Sequence, residues 1–94
     1  MKMHHADHPD PDLPQRYHPC CPVPNRLPAF PDAVRVRPKD GRVRWKDRDG
    51  ALLEWESRDA ALEMYGSHGW HLGEFDHVLG GNLRVAEPGR RVAS

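Results

Sequence analysis

Residues 42–76 constrain the fold of this chain more than any other segment, because they consist of short apolar–polar alternations separated by turn residues. Alternation with a period of two is typical of strands that bury one face. The candidate strands are residues 34–37, 42–45, 52–57, 61–65, 70–76 and 83–85. Turns are expected at residues 38–41, 47–50, 66–69 and 80–82, with Asp49 and Gly50 as the strongest hairpin signal. The pattern predicts a mainly β fold: a small, highly twisted antiparallel sheet of about five short strands in meander order.

Residues 57–64 also carry a helical signal. They are rich in good helix formers, Ser57 is a suitable N-cap, and propensity alone favours a helix here. Eight residues form only a marginal helix, however, and the turn at 66–69 connects residues 61–65 to the next strand as a hairpin does. We therefore expect a strand, with Leu62 and Met64 on one face and Glu63 and Tyr65 on the other.

The N-terminal third of the chain has a different texture. Eight prolines lie between Pro9 and Pro31, and proline both fixes the backbone and removes a hydrogen-bond donor. We expect residues 1–33 to be a tail or linker, partly ordered against the sheet at most, and residues 34–94 to be the β domain. The apolar side chains of the tail that could cover the sheet are Tyr17, Val23, Leu27 and Phe30.

Size and charge narrow the possible functions. The chain has 94 residues, with 14 Lys and Arg against 14 Asp and Glu, so it forms one small domain with a thin core. It lacks the basic footprint of a nucleic-acid binder, and any affinity for RNA must come from a local patch. No apolar run reaches the roughly 18 residues of a membrane span, and the N-terminus lacks a secretory signal. We expect a soluble monomer without membrane contact.

The cysteines and most histidines lie in the Pro-rich segment. Cys20 and Cys21 are adjacent, and a disulfide between neighbours is strained, so we expect two reduced thiols. The nearby histidines are His4, His5, His8 and His18. A Pro-rich segment does not preorganise ligands, so metal binding there is expected to be adventitious, and neither a metal site nor a cofactor is predicted. Signatures of serine hydrolases, P-loop proteins and zinc proteases are absent from the sequence.

Three carboxylates are brought close by the hairpin at residues 56–63: Glu56, Asp59 and Glu63. Repulsion among them raises at least one pKa and can create a general acid and a general base. The alternative, which the spacing alone favours, is a set of solvated acidic side chains on an open sheet face. Guanidinium groups that could hold a phosphate occur near the C-terminus, at Arg84, Arg90 and Arg91. Residues 87–92 are expected to form an extended cationic tail.

The aromatic residues divide by face. Trp45 and Trp55 fall on apolar faces and are predicted to lie in the core. For Trp70 the core is favoured, with stacking on a base as the alternative. Tyr65 shares a face with Glu63 and is a candidate for base stacking.

Five motifs together resemble the cytotoxic ribonuclease domain of cloacin and the ribosome-inactivating colicins. They are RW followed by a DG turn, EWxS at 54–57, LExY at 62–65, HLGxFD at 71–76 and PGRR at 88–91. The similarity covers residues 42–92, with a weaker echo at 17–19. It implies a bacterial toxin domain that cleaves small-subunit ribosomal RNA at the decoding site, blocks translation, and is held inactive by a cognate immunity protein. It also implies delivery from the producing bacterium and action in the cytoplasm of the target cell.

The resemblance also assigns site residues. Glu63 would be the general base that takes the ribose 2′-OH proton without a metal ion, and Arg90 would stabilise the transition state. Glu56 stands where the family has an aspartate, and Asp59 stands where it has a histidine. An aspartate is ordinarily ionised near neutral pH. Substrate-binding roles fall on Tyr65, His71, Arg84 and Arg91. The alternative is a catalytically weakened or inactive relative that binds RNA or an immunity protein.

Overall fold

The computed structural model describes residues 21–92, which form a single six-stranded antiparallel sheet. The strands are β1 (Val34–Lys39), β2 (Arg42–Lys46), β3 (Leu52–Glu56), β4 (Ala61–Tyr65), β5 (His71–Phe75) and β6 (Asn82–Val85). Each strand pairs with the next along the chain. This confirms the predicted mainly β meander, with six strands where about five were expected. Across residues 21–92 no helix has the length and apolar character needed to span a membrane.

Residues 61–65 form strand β4, and the helix alternative is wrong. The turn at residues 57–60 leads directly into the strand. β4 lies between β3 and β5, so both of its edges are paired, and Ala61 and Leu62 are fully buried. Pairing and burial on this scale outweigh the few tenths of a kcal/mol per residue by which propensity favours the helix.

One face of the sheet forms the core, which is built from alternate residues of the central strands. Its buried members are Leu27, Val43, Trp45, Leu53, Trp55 and Leu62. The predicted facing of Leu62 is confirmed, as are the core positions of Trp45 and Trp55. The Asp49–Gly50 hairpin is present as well, because the Gly50 amide donates to the Asp47 carbonyl oxygen at 3.0 Å.

Part of the Pro-rich segment covers this core face. Leu27 is buried in the core, and Val23 and Phe30 pack against it, whereas Tyr17 lies outside the described residues. The indole Nε1 of Trp55 donates to the Cys21 carbonyl oxygen at 3.1 Å, which fixes the course of the segment over the sheet. The domain boundary between residues 33 and 34 stays a prediction.

Strand β1 is longer than expected, since Pro38 was placed in the turn and lies in the strand instead. β1 is an edge strand whose register with β2 shifts between Val36 and Lys39. A missing backbone donor is tolerated at an edge or an irregularity of this kind, which explains why the proline does not end the strand.

The expected extended C-terminal tail is wrong, because residues 87–92 turn back towards the start of β5. Pro88 and Gly89 form the turn, and the Arg90 amide donates to the Glu87 carbonyl oxygen at 3.1 Å. The returning chain pairs with β5 residues, with His71 donating its amide to the Arg90 carbonyl oxygen at 2.9 Å. A Pro-Gly pair favours such a tight turn, and the turn carries Arg90 onto the face opposite the core.

Gly73 permits a close approach of β5 and β6. Its φ is +130°, and an added Cβ would lie 2.5 Å from the Arg84 carbonyl oxygen and 2.8 Å from Asn82 Nδ2. Neither contact can relax cheaply, because the carbonyl oxygen is backbone and the Asn82 amide is itself hydrogen-bonded to it at 2.7 Å. Any side chain at this position must therefore separate the two strands.

We expect Gly73→Ala to lower the free energy of unfolding by at least about 2 kcal/mol, since strain and a backbone clash combine. The measurement is urea denaturation followed by tryptophan fluorescence. Gly81→Ala is the matched control, because a Cβ at Gly81 meets nothing within 4 Å. Equal stabilities of the two variants would contradict this account of the β5–β6 contact.

Candidate active site

Five charged side chains form a continuous cross-strand row on the face opposite the core. They are Arg44 on β2, Glu54 on β3, Glu63 on β4, Glu74 on β5 and Arg84 on β6, each in register with the next. Directly opposed residues have Cβ atoms about 5 Å apart. Three glutamates therefore stand side by side, with an arginine at each end. We call this set the carboxylate row and its side of the sheet the carboxylate face.

The carboxylate row is buried except at one end. Arg44, Glu54, Glu63 and Glu74 are each less than one-tenth exposed, whereas Arg84 is exposed. Ionised carboxylates at this depth lose hydration and repel one another, so each needs a cation, a hydrogen-bond donor or a proton. The three glutamates meet this need in three different ways.

Glu54 is neutralised by arginines from β2. Arg44 Nε lies 3.1 Å from Glu54 Oε2, and Arg42 NH1 lies 3.7 Å from Oε1. Burial nonetheless raises the pKa of Glu54, and the guanidinium groups of Arg44, Arg42 and Arg90 offset that effect only in part. Glu54 thus anchors the β2–β3 side of the row.

Glu63 is held by a histidine. His71 Nε2 lies 2.7 Å from Glu63 Oε1, and His71 Nδ1 accepts the backbone amide of Glu87 at 2.9 Å. Because Nδ1 is an acceptor, the ring proton must be on Nε2, and the ring donates it to Glu63. His71 therefore orients the Glu63 carboxylate.

Arg90 completes this part of the site from the returning C-terminal segment. Its NH1 lies 3.8 Å from Glu63 Oε1 and donates to Glu87 Oε1 at 3.1 Å. Its guanidinium carbon stands 5.5 Å from the centre of the Tyr65 ring. Burial lowers the pKa of Arg90, but the interactions with Tyr65, Glu87 and Glu63 together raise it by more. The pKa of Arg90 is therefore above its usual value. The site thus contains a permanent, partly exposed positive charge beside Glu63.

Tyr65 lies beneath Arg90 and is only 3% exposed. Its ring is tilted against His71 at a centroid distance of 5.2 Å. Burial, followed by the charge of Glu54, raises the pKa of Tyr65, so its hydroxyl stays protonated. A ring covered on one side by a guanidinium and packed against an imidazole has no open face for a base, so this arrangement suits Tyr65 to supporting Arg90.

Glu74 has no buried cation. Burial first, and then the charges of Asp59 and Glu63, raise its pKa to about 7. Asp59 is exposed in the turn at residues 57–60, and its carboxyl interacts with Glu74. Asp59 is therefore linked to the carboxylate row by its interaction with Glu74.

The predicted carboxylate trio is arranged differently from the expectation. Glu56 stands at the end of β3 opposite Ala61, and its carboxylate binds Arg42 NH2 at 3.2 Å. It also accepts the Arg58 amide at 3.1 Å, which steadies the turn that carries Asp59. The direct neighbours of Glu63 across the strands are Glu54 and Glu74, because the β3–β4 register sets position 54, not position 56, opposite position 63.

The remaining predicted site residues lie at the edge of the site. Arg84 Nε is 3.6 Å from Glu74 Oε1, with a side chain that is 72% exposed. Arg91 Nε donates to the His68 carbonyl oxygen at 3.1 Å, and its guanidinium lies 5.0 Å from the Trp70 ring centre. Trp70 is 51% exposed, so the favoured core position is wrong. Its bridge to Arg91, outside the regular part of β5, keeps it at the surface, and base stacking stays a prediction.

Sequence reasoning missed five residues of this site: Arg42, Arg44, Glu54, Glu74 and Glu87. Alternation along residues 52–57 places Glu54 on the same face as Glu56 but assigns Glu54 no role. A glutamate on each of three successive predicted strands was the available signal. The register that aligns them includes a shift between Met64 and Tyr65, which alternation alone does not reveal.

No group of three or more His, Cys, Asp or Glu side chains within residues 21–92 is arranged to hold a metal ion. His4, His5, His8, His18 and Cys20 lie outside the described residues. The expectation of adventitious binding at the N-terminus therefore stays a prediction.

The sheet, the buried carboxylates and the arginine beside Glu63 fit a defined class of protein. The family described as Cytotoxic matches residues 21–93, and the chain belongs to it. This is the family of cytotoxic ribonuclease domains of colicin E3 and cloacin, so the chain is a bacterial toxin domain of the ribonuclease class.

A particular relative is colicin E3 of Escherichia coli. The two are 34% identical over 67 residues, which make up 69% of this chain and 12% of colicin E3. The chain thus spans only about an eighth of that relative's length. The family resemblance inferred from the five motifs is confirmed.

The raised pKa of Glu74 predicts a loss of stability with rising pH. The folded chain binds the Glu74 proton more tightly than the unfolded chain does. The resulting contribution to the free energy of unfolding is complete below pH 4.5 and is lost as the pH rises to about 7. The wild type should lose on the order of 2 to 3 kcal/mol in free energy of unfolding over this pH range, and Glu74→Gln should not show this loss. Urea denaturation of both proteins between pH 4.5 and 7.5 measures the difference.

Asp32→Asn is the control for this measurement, since it removes an exposed carboxylate that pairs with Arg48 away from the carboxylate row. Its stability should follow that of the wild type at every pH. Parallel curves for Glu74→Gln and the wild type would contradict the assignment of the loss to Glu74.

Proposed function

We propose that this chain is an endoribonuclease that cleaves small-subunit ribosomal RNA at the decoding site and thereby blocks translation. The observation that carries the proposal is the geometry of Glu63: a buried carboxylate, oriented by His71 at 2.7 Å, with Arg90 3.8 Å away. A fixed base beside a fixed cation is what cleavage of RNA through its own 2′-hydroxyl requires. Membership of the Cytotoxic family supports the same activity.

In the proposed reaction Glu63 removes the proton of the ribose 2′-hydroxyl. The 2′-oxygen attacks the adjacent phosphorus, the bond from phosphorus to the 5′-oxygen breaks, and a cyclic phosphate remains. Arg90 stabilises the negative charge that builds up on the phosphoryl oxygens, and its hydrogen bond to Glu87 holds it in place. All of these steps are assigned to side chains, so the reaction is proposed to be metal-independent.

Asp59 and Glu56 assist on the β3–β4 side. We assign to the exposed carboxyl of Asp59 the transfer of a proton to the leaving 5′-oxygen. Glu56 binds Arg42 and the Arg58 amide, and so holds the turn that presents Asp59. We assign Asp59 a catalytic role and Glu56 a positioning role through that turn.

Contacts to the RNA are assigned to the exposed cations at the edge of the site. Arg84 and Arg91 are candidates for phosphate binding, and Trp70 offers an exposed ring for stacking. His71 and Tyr65 act from beneath, by orienting Glu63 and supporting Arg90. This division gives the neutral chain a local cationic surface next to its base.

The proposed partners and setting follow from the family. A cognate immunity protein would block the site in the producing bacterium, and the domain would be delivered from that bacterium into the cytoplasm of a target cell. We propose both on the strength of the match to colicin E3, which extends over only part of that protein.

The test is to incubate the purified chain with intact bacterial ribosomes, with and without a chelator, and to separate the RNA on a denaturing gel. We expect one short fragment from the 3′ end of the small-subunit RNA at equal rates in both conditions. Glu63→Gln should lower the rate by about 100-fold or more, since it removes the base but keeps the size of the side chain. Arg90→Gln should lower it by a similar factor.

Asp32→Asn serves as the fold control and should cleave at the wild-type rate. Intact RNA at high enzyme concentration would overturn the proposal and favour an inactive relative that binds RNA or an immunity protein. Cleavage that survives Glu63→Gln would overturn the assignment of the base.

A further inference from the structure

Glu74 is a buried carboxyl of the carboxylate row to which the proposed reaction assigns no step. It is 3% exposed and lies in register between Glu63 and Arg84. Arg84 is 3.6 Å away, but its side chain is 72% exposed, so water screens much of its charge. Glu74 therefore lacks the close, buried cation that Glu54 has in Arg44.

Two carboxyl groups interact with Glu74: that of Glu63, which lies directly opposite it across the β4–β5 pair, and that of Asp59. A hydrogen bond between two carboxyl groups needs a proton on one of them, because ionised carboxylates only accept. Burial and the charges of these two neighbours raise the pKa of Glu74 to about 7. The three groups therefore retain a proton near neutral pH, and burial favours its residence on Glu74.

The position of Glu74 connects the proposed base with the proposed acid. Glu63 lies on β4, and Asp59 lies in the turn immediately before that strand. Glu63 faces Glu74 across the β4–β5 pair, and the Asp59 carboxyl interacts with Glu74 from the turn. A proton taken up by Glu63 can therefore reach Asp59 through a single intermediate group.

The histidines near the site are not placed to supply the proton that the leaving 5′-oxygen needs. His71 uses one ring nitrogen to hold Glu63 and the other to accept the Glu87 amide. His68 lies in the exposed β4–β5 turn beside Arg91. The carboxyl group of Asp59 is thus the best-placed proton donor among the described side chains of the carboxylate face.

We propose that Glu74 relays a proton from Glu63 to Asp59, and that this relay enables Asp59 to protonate the leaving 5′-oxygen. The inference rests on the proposed function. Glu63 takes the 2′-hydroxyl proton as the bond from the 2′-oxygen to phosphorus forms. The bond to the 5′-oxygen breaks with its electron pair on that oxygen, which receives a proton from Asp59.

The relay returns the enzyme to its starting state. Glu74 passes its proton to Asp59, which delivers it to the 5′-oxygen, and Glu63 then gives the proton taken from the 2′-hydroxyl to Glu74. One proton has then moved from the 2′-oxygen to the 5′-oxygen, and no external acid is consumed. Glu74 acts through Asp59 and is a positioning and relay residue.

A double-mutant cycle on intact ribosomes tests this relay. In the wild-type background Glu74→Gln should lower the single-turnover cleavage rate at pH 7 by at least about 10-fold, since general acid catalysis is weakened. Asp59→His introduces a donor that holds its own proton near neutral pH. In the Asp59→His background Glu74→Gln should lower the cleavage rate by less than about threefold. If the role of Glu74 were purely structural, Glu74→Gln would lower the cleavage rate by the same factor in both backgrounds.

The pH dependence of the rate gives an independent readout. The charged groups that face Glu74 are Glu63 from β4, Asp59 from the turn and Arg84 from β6, with His71 on β5 itself. The wild-type rate should fall as the pH rises above about 7, where Glu74 loses its proton. Glu74→Gln should lack this fall, while any contribution of His71 is common to both proteins.

The outcomes separate the two levels of the proposal. The relay is supported if Glu74→Gln lowers the cleavage rate only in the wild-type background and if the variant lacks the fall in rate above about pH 7. Wild-type activity in Glu74→Gln, or an equal loss in both backgrounds, overturns the relay and leaves the ribonuclease function standing. Intact RNA with both the wild type and Asp59→His overturns the proposed function and the relay with it.

Discussion

The constraint on which the site depends is the register of the hairpins β3–β4 and β4–β5, which sets Glu54, Glu63 and Glu74 side by side across three strands. Antiparallel pairing brings opposed side chains to about 5 Å, so three acidic groups share one small, buried region. Three charges cannot occupy that region without compensation. The rest of the carboxylate face can be understood as the response to this requirement.

Each glutamate receives a different partner, and the difference separates their chemical properties. Glu54 has two arginines of β2 and anchors the row. Glu63 has the Nε2–H of His71, which orients the carboxylate but leaves it able to accept a proton. Glu74 has the carboxyl groups of Glu63 and Asp59 as its neighbours, and it reduces their mutual repulsion by holding a proton. A carboxyl group that retains its proton up to about pH 7 thus stands next to Glu63, and acid–base catalysis requires a proton donor of this kind.

The C-terminal turn joins this row to its cation. Pro88 and Gly89 reverse the chain, the Glu87 amide fixes the tautomer of His71, and Arg90 comes to lie beside Glu63. One short segment therefore sets both the orientation of the base and the position of the positive charge. On the opposite face Leu27 and its neighbours cover the core, so that a thin sheet is protected on both sides.

The sequence by itself determined the sheet, its meander order, the core tryptophans 45 and 55, and the family, because alternation, hairpin turns and short motifs are local properties. The resemblance to the family also predicted Glu63, Asp59 and Arg90 as residues of one site. Only the tertiary structure decided which carboxylates are neighbours, because a register shift between β4 and β5 is a property of paired strands. It likewise decided the return of the C-terminal segment and the exposure of Trp70, since both depend on contacts between residues about 20 positions apart. Local pattern specified the strands, and pairing between them built the site.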